Sequence, residues 1–322
     1  MASRPTRSSH FGFTLFIMAV ASGGVLCPAA ARAQARIWED RGPIAQLDLY
    51  WGNASPERAP TGPFTFVRED TAATNPKAIV RDARGVVWGV KWDEEVQSEV
   101  AATRLAWAMG LEVEETYYVE TGRLVFPGSR PALHRIGSFV DSDGRFKSPA
   151  RFERRDPQMV SKGRWAFASN PLSHEGGYAV LVLMDVLLAN WDAKDDNNKI
   201  VSITDATGTR DWYFVGDYGA CFGKMGGGLS HSKYSLKDFA KNPPVVTGVS
   251  GATVHLGYKG KNAEFHESVP LAGARLFANR ASQLSLKQVD DAFRAANANT
   301  ADRAGFARMV YDRFQQVVTS VR

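Results

Sequence analysis

Cysteine is almost missing from this chain of 322 residues: Cys27 and Cys221 are its complement, so neither a disulfide framework nor a cysteine zinc site can be built. Histidine is sparse too, with six residues scattered and no H-E-x-x-H pair, which excludes the zinc-peptidase signature. No segment repeats at a fixed period and no low-complexity tract occurs. At 44% hydrophobic and 23% charged residues, the chain has the balance of a folded protein rather than a disordered one. Acidic residues are absent from the first 35 positions, where Arg4, Arg7 and Arg32 account for much of the formal charge of +5.

That asymmetry has a reading of its own. Arg4 and Arg7 precede an apolar stretch from Phe11 to Leu26, followed by Ala31-Arg32-Ala33 and Ala33-Gln34-Ala35, the order of a secretory signal peptide. Gly12, Thr14, Ser22, Gly23 and Gly24 make the stretch a poor membrane-spanning helix. Cleavage near residue 35 leaves a chain of charge +2 with Cys221 alone. The expectation is a periplasmic or secreted protein with no membrane span after cleavage. The remaining charge is too small to signal nucleic-acid binding.

Four regions follow: a leader over 1–35, an extension over 36–76, a small β-rich lobe over 77–140 and a larger, mainly helical lobe over 141–322. The extension is rich in turn formers, such as Gly42-Pro43 and Ser55-Pro56. Ala78–Val80 and Val86–Trp92 read as a hairpin closed by Asp82–Gly85, with glycine where a positive φ is wanted. An amphipathic helix over 94–109 ends at Gly110. Pro127 to Asn170 reads as loop, and its basic stretch Arg145–Arg155 as a solvated loop or part of an acceptor surface. Tyr178–Ala189 is apolar nearly all round and too short to span a bilayer, which marks a buried helix. Strands over 199–204 and 212–215 and helices over 286–296 and 302–318 complete an α+β chain of two lobes.

Charged and amide side chains stand out at three places. Lys91 lies inside the apolar strand Gly89-Val90-Lys91-Trp92, and Glu99 lies on the next helix. A buried lysine needs such a carboxylate, although an edge-strand lysine facing solvent fits the residues as well. The buried helix then runs into Asn190-Trp191-Asp192-Ala193-Lys194-Asp195-Asp196-Asn197-Asn198, where Asp192 and Asn197 offer oxygen groups suited to Mg²⁺ or Mn²⁺. Lastly, the strand Trp212–Val215 delivers Asp217 and Gly219.

The order of strand lysine, helix glutamate, Asp-x₄-Asn and Asp-x-Gly resembles the two-lobed protein-kinase-like fold, with a small β-rich N-lobe holding one helix and a larger helical C-lobe. Residues 98–113 resemble the glutamate helix of HipA-like kinases. Asp217-Tyr218-Gly219-Ala220-Cys221-Phe222-Gly223 is similar to the Asp-x-Gly-x-x-Phe-Gly of secretory-pathway kinases. Asp192-x₄-Asn197 has the spacing of both groups and of the phosphoinositide-kinase-like group, and bacterial exported proteins carry similar Asn-Trp-Asp-x-Lys and Asp-x-Gly segments.

The resemblance, which spans about 77–224, implies that Lys91 and Glu99 bind ATP or another nucleotide. It implies that Asn197 and Asp217 hold Mg²⁺ or Mn²⁺, and that Asp192 and Lys194 act on the acceptor hydroxyl and the moving phosphoryl group. The acceptor would be a protein or a small hydroxyl-bearing molecule. Against the pattern, no G-x-G-x-x-G precedes Lys91, so the turn Asp82–Gly85 would have to serve. Asn190-Trp191-Asp192 stands where His-Arg-Asp is usual, and Asp195, Asp196 and Asn198 compete as ligands. Three readings stand: an exported phosphotransferase, an inactive kinase-fold binding protein of the cell envelope, and an unrelated α+β envelope protein.

Overall fold

The computed structural model describes residues 1–2, 33–71, 75–206, 208–226 and 230–322. Most of the expected leader, residues 3–32, lies outside them. The chain divides into Met1–Arg32 and a compact unit, Ala33–Arg322. No described helix is long and apolar enough to cross a membrane.

In chain order the compact unit contains β1 (Gln34–Arg36), β2 (Phe64–Asp70), β3 (Lys77–Arg81), β4 (Val87–Lys91), α1 (Val96–Ala108), β5 (Thr116–Val119), β6 (Leu124–Val125), β7 (Ala150–Arg154) and β8 (Val160–Gly163). There follow α2 (Gly176–Leu187), β9 (Asn198–Asp205), β10 (Gly208–Val215), α3 (Leu236–Phe239), β11 (Val246–Ser250), β12 (Thr253–Leu256), β13 (Ser268–Pro270), α4 (Leu271–Ala281), α5 (Leu286–Ala295) and α6 (Thr300–Ser320). Among the described residues the strands form three sheets, ordered β5-β7-β4-β3-β2-β6, β1-β10-β9-β8 and β11-β12-β13.

Two large hydrophobic clusters give the architecture its lobes. The smaller is built on the first sheet from Phe64, Val80, Trp88, Val90, Trp92, Tyr117 and Phe152. The larger gathers α2, α4, α5 and α6, and α1 joins it through Val100, Ala101 and Leu105. The glutamate helix therefore belongs as much to the core of the large lobe as to the sheet beside it.

The sheet also reaches beyond the limits read from sequence. β2 comes from the turn-rich extension, and β7 from the segment read as loop; β7 lies between β4 and β5. Within the stretch read as loop, Ile136–Ser138 forms a short 3-10 turn. The hairpin turn is as expected, with Gly85 at φ +81. It joins Arg81 to Val87, however, at the end of β3 and β4 remote from the Lys77–Lys91 pairing. Asp82–Gly85 thus cannot take the place of a phosphate-binding loop. Lys77 is the residue that pairs with Lys91, and the sequence over 71–76 that precedes it contains no glycine.

Local chemistry explains how the site segments are aimed. α2 ends at Leu187, and two residues on Ala189 takes a left-handed conformation with φ 57. For a residue with a Cβ this costs about 1 kcal/mol or more. Asn190 offsets it by donating its backbone N–H to Asp185 O at 2.8 Å and its side-chain amide to Asp185 Oδ1 at 2.8 Å. The chain leaves the buried helix through this cap and enters the Asp192 loop. The hairpin β9–β10 then returns it: Gly216 N donates to Asn197 O at 2.8 Å, which sets Asp217 beside that loop.

Candidate active site

Lys91 ends β4 with its side chain fully buried, and its ammonium pairs with Glu99 and with Glu95, four residues further on. Asp217 Oδ1 stands 3.8 Å from the same nitrogen. The solvent-facing edge lysine that the sequence allowed is therefore excluded. Burial alone works to lower the Lys91 pKa, but the carboxylates of Glu99, Asp217 and Glu95 together outweigh it and raise it above the ordinary lysine value. The group stays a cation although it is sealed from water.

Glu99 is held from its other side by Arg151 Nε. Arg151 occupies the position on β7 opposite Lys91 on β4, so the two cations lie side by side and share one carboxylate. Burial pushes the Glu99 carboxyl up to about 7, against the pull of Arg151 and Lys91. Arg151 also reaches Glu153 Oε2 at 2.6 Å and Glu114 Oε2 at 3.9 Å, and Glu114 pairs with Lys199. The basic stretch read as a solvated loop thus supplies a buried arginine to the centre of the site.

Asp217 remains 31% exposed, unlike its partners. Burial opposes its ionisation, yet Lys91 and the Gly219 N–H, which donates to Oδ1 at 2.9 Å, hold its pKa well below the usual carboxylate range. Gly219 has a steric role as well, since a Cβ there would lie 2.4 Å from Glu95 Oε2. Helix α1 fastens the same turn through Ser98 Oγ, which donates to Tyr218 O at 2.9 Å. Glu95, Glu99 and Asp217 bring carboxylate oxygens within 4.8 Å of one another, and Lys91 is the cation among them.

The loop residues join this group through backbone contacts. Asn197 Nδ2 donates to Asp192 O at 3.0 Å, leaving its amide oxygen as a ligand atom. Two of the competing residues are engaged elsewhere: Asp195 Oδ1 accepts from Phe167 N at 3.1 Å, and Asp196 pairs with Arg164 at 2.9 Å. Asn198 is fully buried, and its side-chain amide makes no hydrogen bond among the described residues. Asp192 has Lys194 on Oδ2 at 2.8 Å and Lys261 on Oδ1 at 2.5 Å. Thus Lys91, Glu99 and Asp217 meet directly, and Asp192, Lys194 and Asn197 attach to them through Gly216. An exposed carboxylate and an amide oxygen make an all-oxygen donor set, which fits a hard divalent cation.

A cavity of about 600 Å³ adjoins the buried charges. Val87, Val201 and Phe214 give it apolar walls, and Glu114, Glu153 and Lys199 give it a polar one. Its size is that of a small-molecule site. Sequence reasoning missed Glu95, Arg151 and Lys261. Glu95 carried a usable signal, since it precedes Glu99 by one helical turn on the same helix face.

Neither a protein-family model nor a curated protein matches the chain. Among solved structures it is similar to the Helicobacter pylori proinflammatory kinase CtkA, with a TM-score of 0.48 and 11% identity, covering 81% of this chain and 98% of that one. It is also similar to the Golgi casein kinase with Mn/ADP bound, at a TM-score of 0.42 and 9% identity over 81% of this chain and 73% of that one. A further structure of the Golgi casein kinase gives a TM-score of 0.43 and 8% identity over 81% and 72%. Likeness at this level concerns the fold and carries no weight for activity, so the function has to be judged on the geometry of Lys91, Glu99, Asp192, Asn197 and Asp217.

Proposed function

We propose that the chain is an atypical kinase-like phosphotransferase that binds a metal–nucleotide complex between its lobes and transfers a phosphoryl group to a hydroxyl acceptor. The observation that carries this reading is the fully buried Lys91, paired with Glu99 and facing the partly exposed Asp217 at 3.8 Å. Burying a lysine among carboxylates is costly for stability alone, because desolvation of the charges offsets most of their attraction. A permanent cation beside a partly exposed carboxylate is what binding of phosphate and metal together requires.

In this reading Lys91, fixed in position by Glu99 and Arg151, supplies the buried positive charge behind Asp217 that favours the nucleotide phosphates. Asp217 and Asn197 would hold Mg²⁺ or Mn²⁺, which when bound supplies Lewis-acid screening of the phosphate charge. Asp192 orients the acceptor hydroxyl and takes its proton, and Lys194 offsets charge on the moving group. The base would occupy the 600 Å³ cavity lined by Val87, Val201 and Phe214. The leader-like residues 1–35 support an exported protein, which would then need a nucleotide source outside the cytoplasm.

A binding protein without transfer is the second reading, favoured by the glycine-free connection over 71–76. The two readings separate in one experiment. Purified protein incubated with Mn²⁺ and γ-labelled ATP should label itself or an added acceptor, and Asp192→Ala should abolish the label while nucleotide binding persists. Binding by the wild type with no transfer to any acceptor tried would favour the second reading.

A further inference from the structure

The segment from Tyr258 to His266 lies along the Asp192 loop and contacts it residue by residue. Tyr258 Oη donates to Asn190 O at 2.7 Å, and Lys261 N donates to Trp191 O at 2.9 Å. Asn262 Nδ2 donates to Asp195 Oδ1 at 3.2 Å. His266, fully buried, lies 3.2 Å from Asp185 Oδ2 through Nε2 and 2.9 Å from Asn262 O through Nδ1. Gly260 makes the approach feasible, since a Cβ there would lie 2.2 Å from Tyr258 Oη and 2.8 Å from Trp191 Cα. Asp185 also takes the amide of Asn190, so one buried carboxylate fastens both the loop and the segment laid over it.

This scaffold presents Lys261. Its ammonium lies on Asp192 Oδ1 at 2.5 Å, opposite Lys194 on Oδ2 at 2.8 Å, and it faces the Trp191 ring at 5.8 Å. Two ammonium groups on one carboxylate leave an excess positive charge. Both lysines keep exposed surface, 52% for Lys261 and 37% for Lys194, so they can turn toward an incoming anion. A structural role for Lys261 would be satisfied by the backbone contact to Trp191 and would not need its ammonium.

We propose that Lys261 and Lys194 together form an anion subsite for the terminal phosphoryl group of a nucleoside triphosphate, beside Asp192. This inference rests on the phosphotransferase reading and adds to it a binding residue from outside the kinase-like motifs. Lys261 enters from a segment about 70 residues downstream of the loop, on the side of Asp192 away from Lys194. In the absence of the phosphoryl group its charge is satisfied by Asp192.

The test is calorimetric titration of the full protein with the Mn²⁺ complexes of ATP and ADP, comparing wild type, Lys261→Ala and Lys261→Arg, with Lys287→Ala as a charge-matched control on α5. Lys261→Ala should weaken triphosphate binding about tenfold or more, the loss of one charge-assisted hydrogen bond, and leave the diphosphate within about twofold. Lys261→Arg should retain most of the preference. Equal weakening of both nucleotides, or of neither, by Lys261→Ala overturns this inference alone. A wild type that binds neither nucleotide overturns the phosphotransferase reading and this inference with it.

Discussion

Replacing Arg151 with methionine tests whether the buried charges act as one unit. The arginine side chain is only 4% exposed and serves Glu99 on one side and Glu153, at 2.6 Å, on the other. Methionine keeps much of the volume and removes the charge. Three carboxylates then lose a partner inside the protein, although Glu99 keeps Lys91, Glu153 keeps Arg155 at 3.1 Å and Glu114 keeps Lys199. Removing one member of a buried ion pair costs about 3–5 kcal/mol, because the other charge is left without its desolvation offset. For a domain of this size the loss corresponds to a melting-temperature drop of roughly 5–15 °C. The assay is urea unfolding at pH 8, above the Glu99 value of about 7, so that the carboxylate is ionised. Lys287→Met, with its lysine 80% exposed on α5, is the control and should change stability by less than about 0.5 kcal/mol. Adding Glu99→Gln to Arg151→Met should recover part of the loss. If Arg151→Met behaves like the Lys287 control, the buried charges are not coupled and the reasoning fails.

Other expectations follow from the same contacts. Gly219→Ala should lower stability by about 1–3 kcal/mol by displacing Glu95, and it should weaken nucleotide binding; a urea midpoint and a nucleotide titration equal to wild type would contradict the close approach. Because the folded pKa of Glu99 lies above its ordinary value, the folded chain takes up its proton between about 4.5 and 7, and this group's contribution to stability falls as pH rises through that window. Glu99→Gln should therefore match wild type near the acid end and gain on it toward pH 8 in paired unfolding curves, whereas a constant difference would show Glu99 ionised throughout. Fractionation of cells making the full chain should find a product shortened by about 35 residues outside the cytoplasm, and full-length protein confined to the cytoplasm would reject the export proposal.

The site was legible where its chemistry clashed with its surroundings. Lys91 interrupts an apolar strand, and three Asp and three Asn follow a helix with no polar face. Either anomaly draws attention because burial makes it costly. Arg151 gave no such signal, since it lies among charges of both signs in a stretch without clear periodicity. Only its pairing on β7 opposite Lys91 turns it inward. Lys261 was hidden for a different reason: a glycine at 260 and a histidine at 266 have no local meaning until the chain folds back on the Asp192 loop. The limits of the small lobe were misjudged at both ends because β2 and β7 are held by long-range pairing across β3 and β4, which outweighs their turn-rich or basic local composition.

Titration of Mn²⁺-ATP into wild type, Lys91→Met and Asp217→Asn, followed by calorimetry, tests the central claim most directly. The account predicts binding by the wild type that depends on Mn²⁺, with both substitutions removing it while each variant remains folded. Undiminished binding in Asp217→Asn, or none in the wild type, would contradict it.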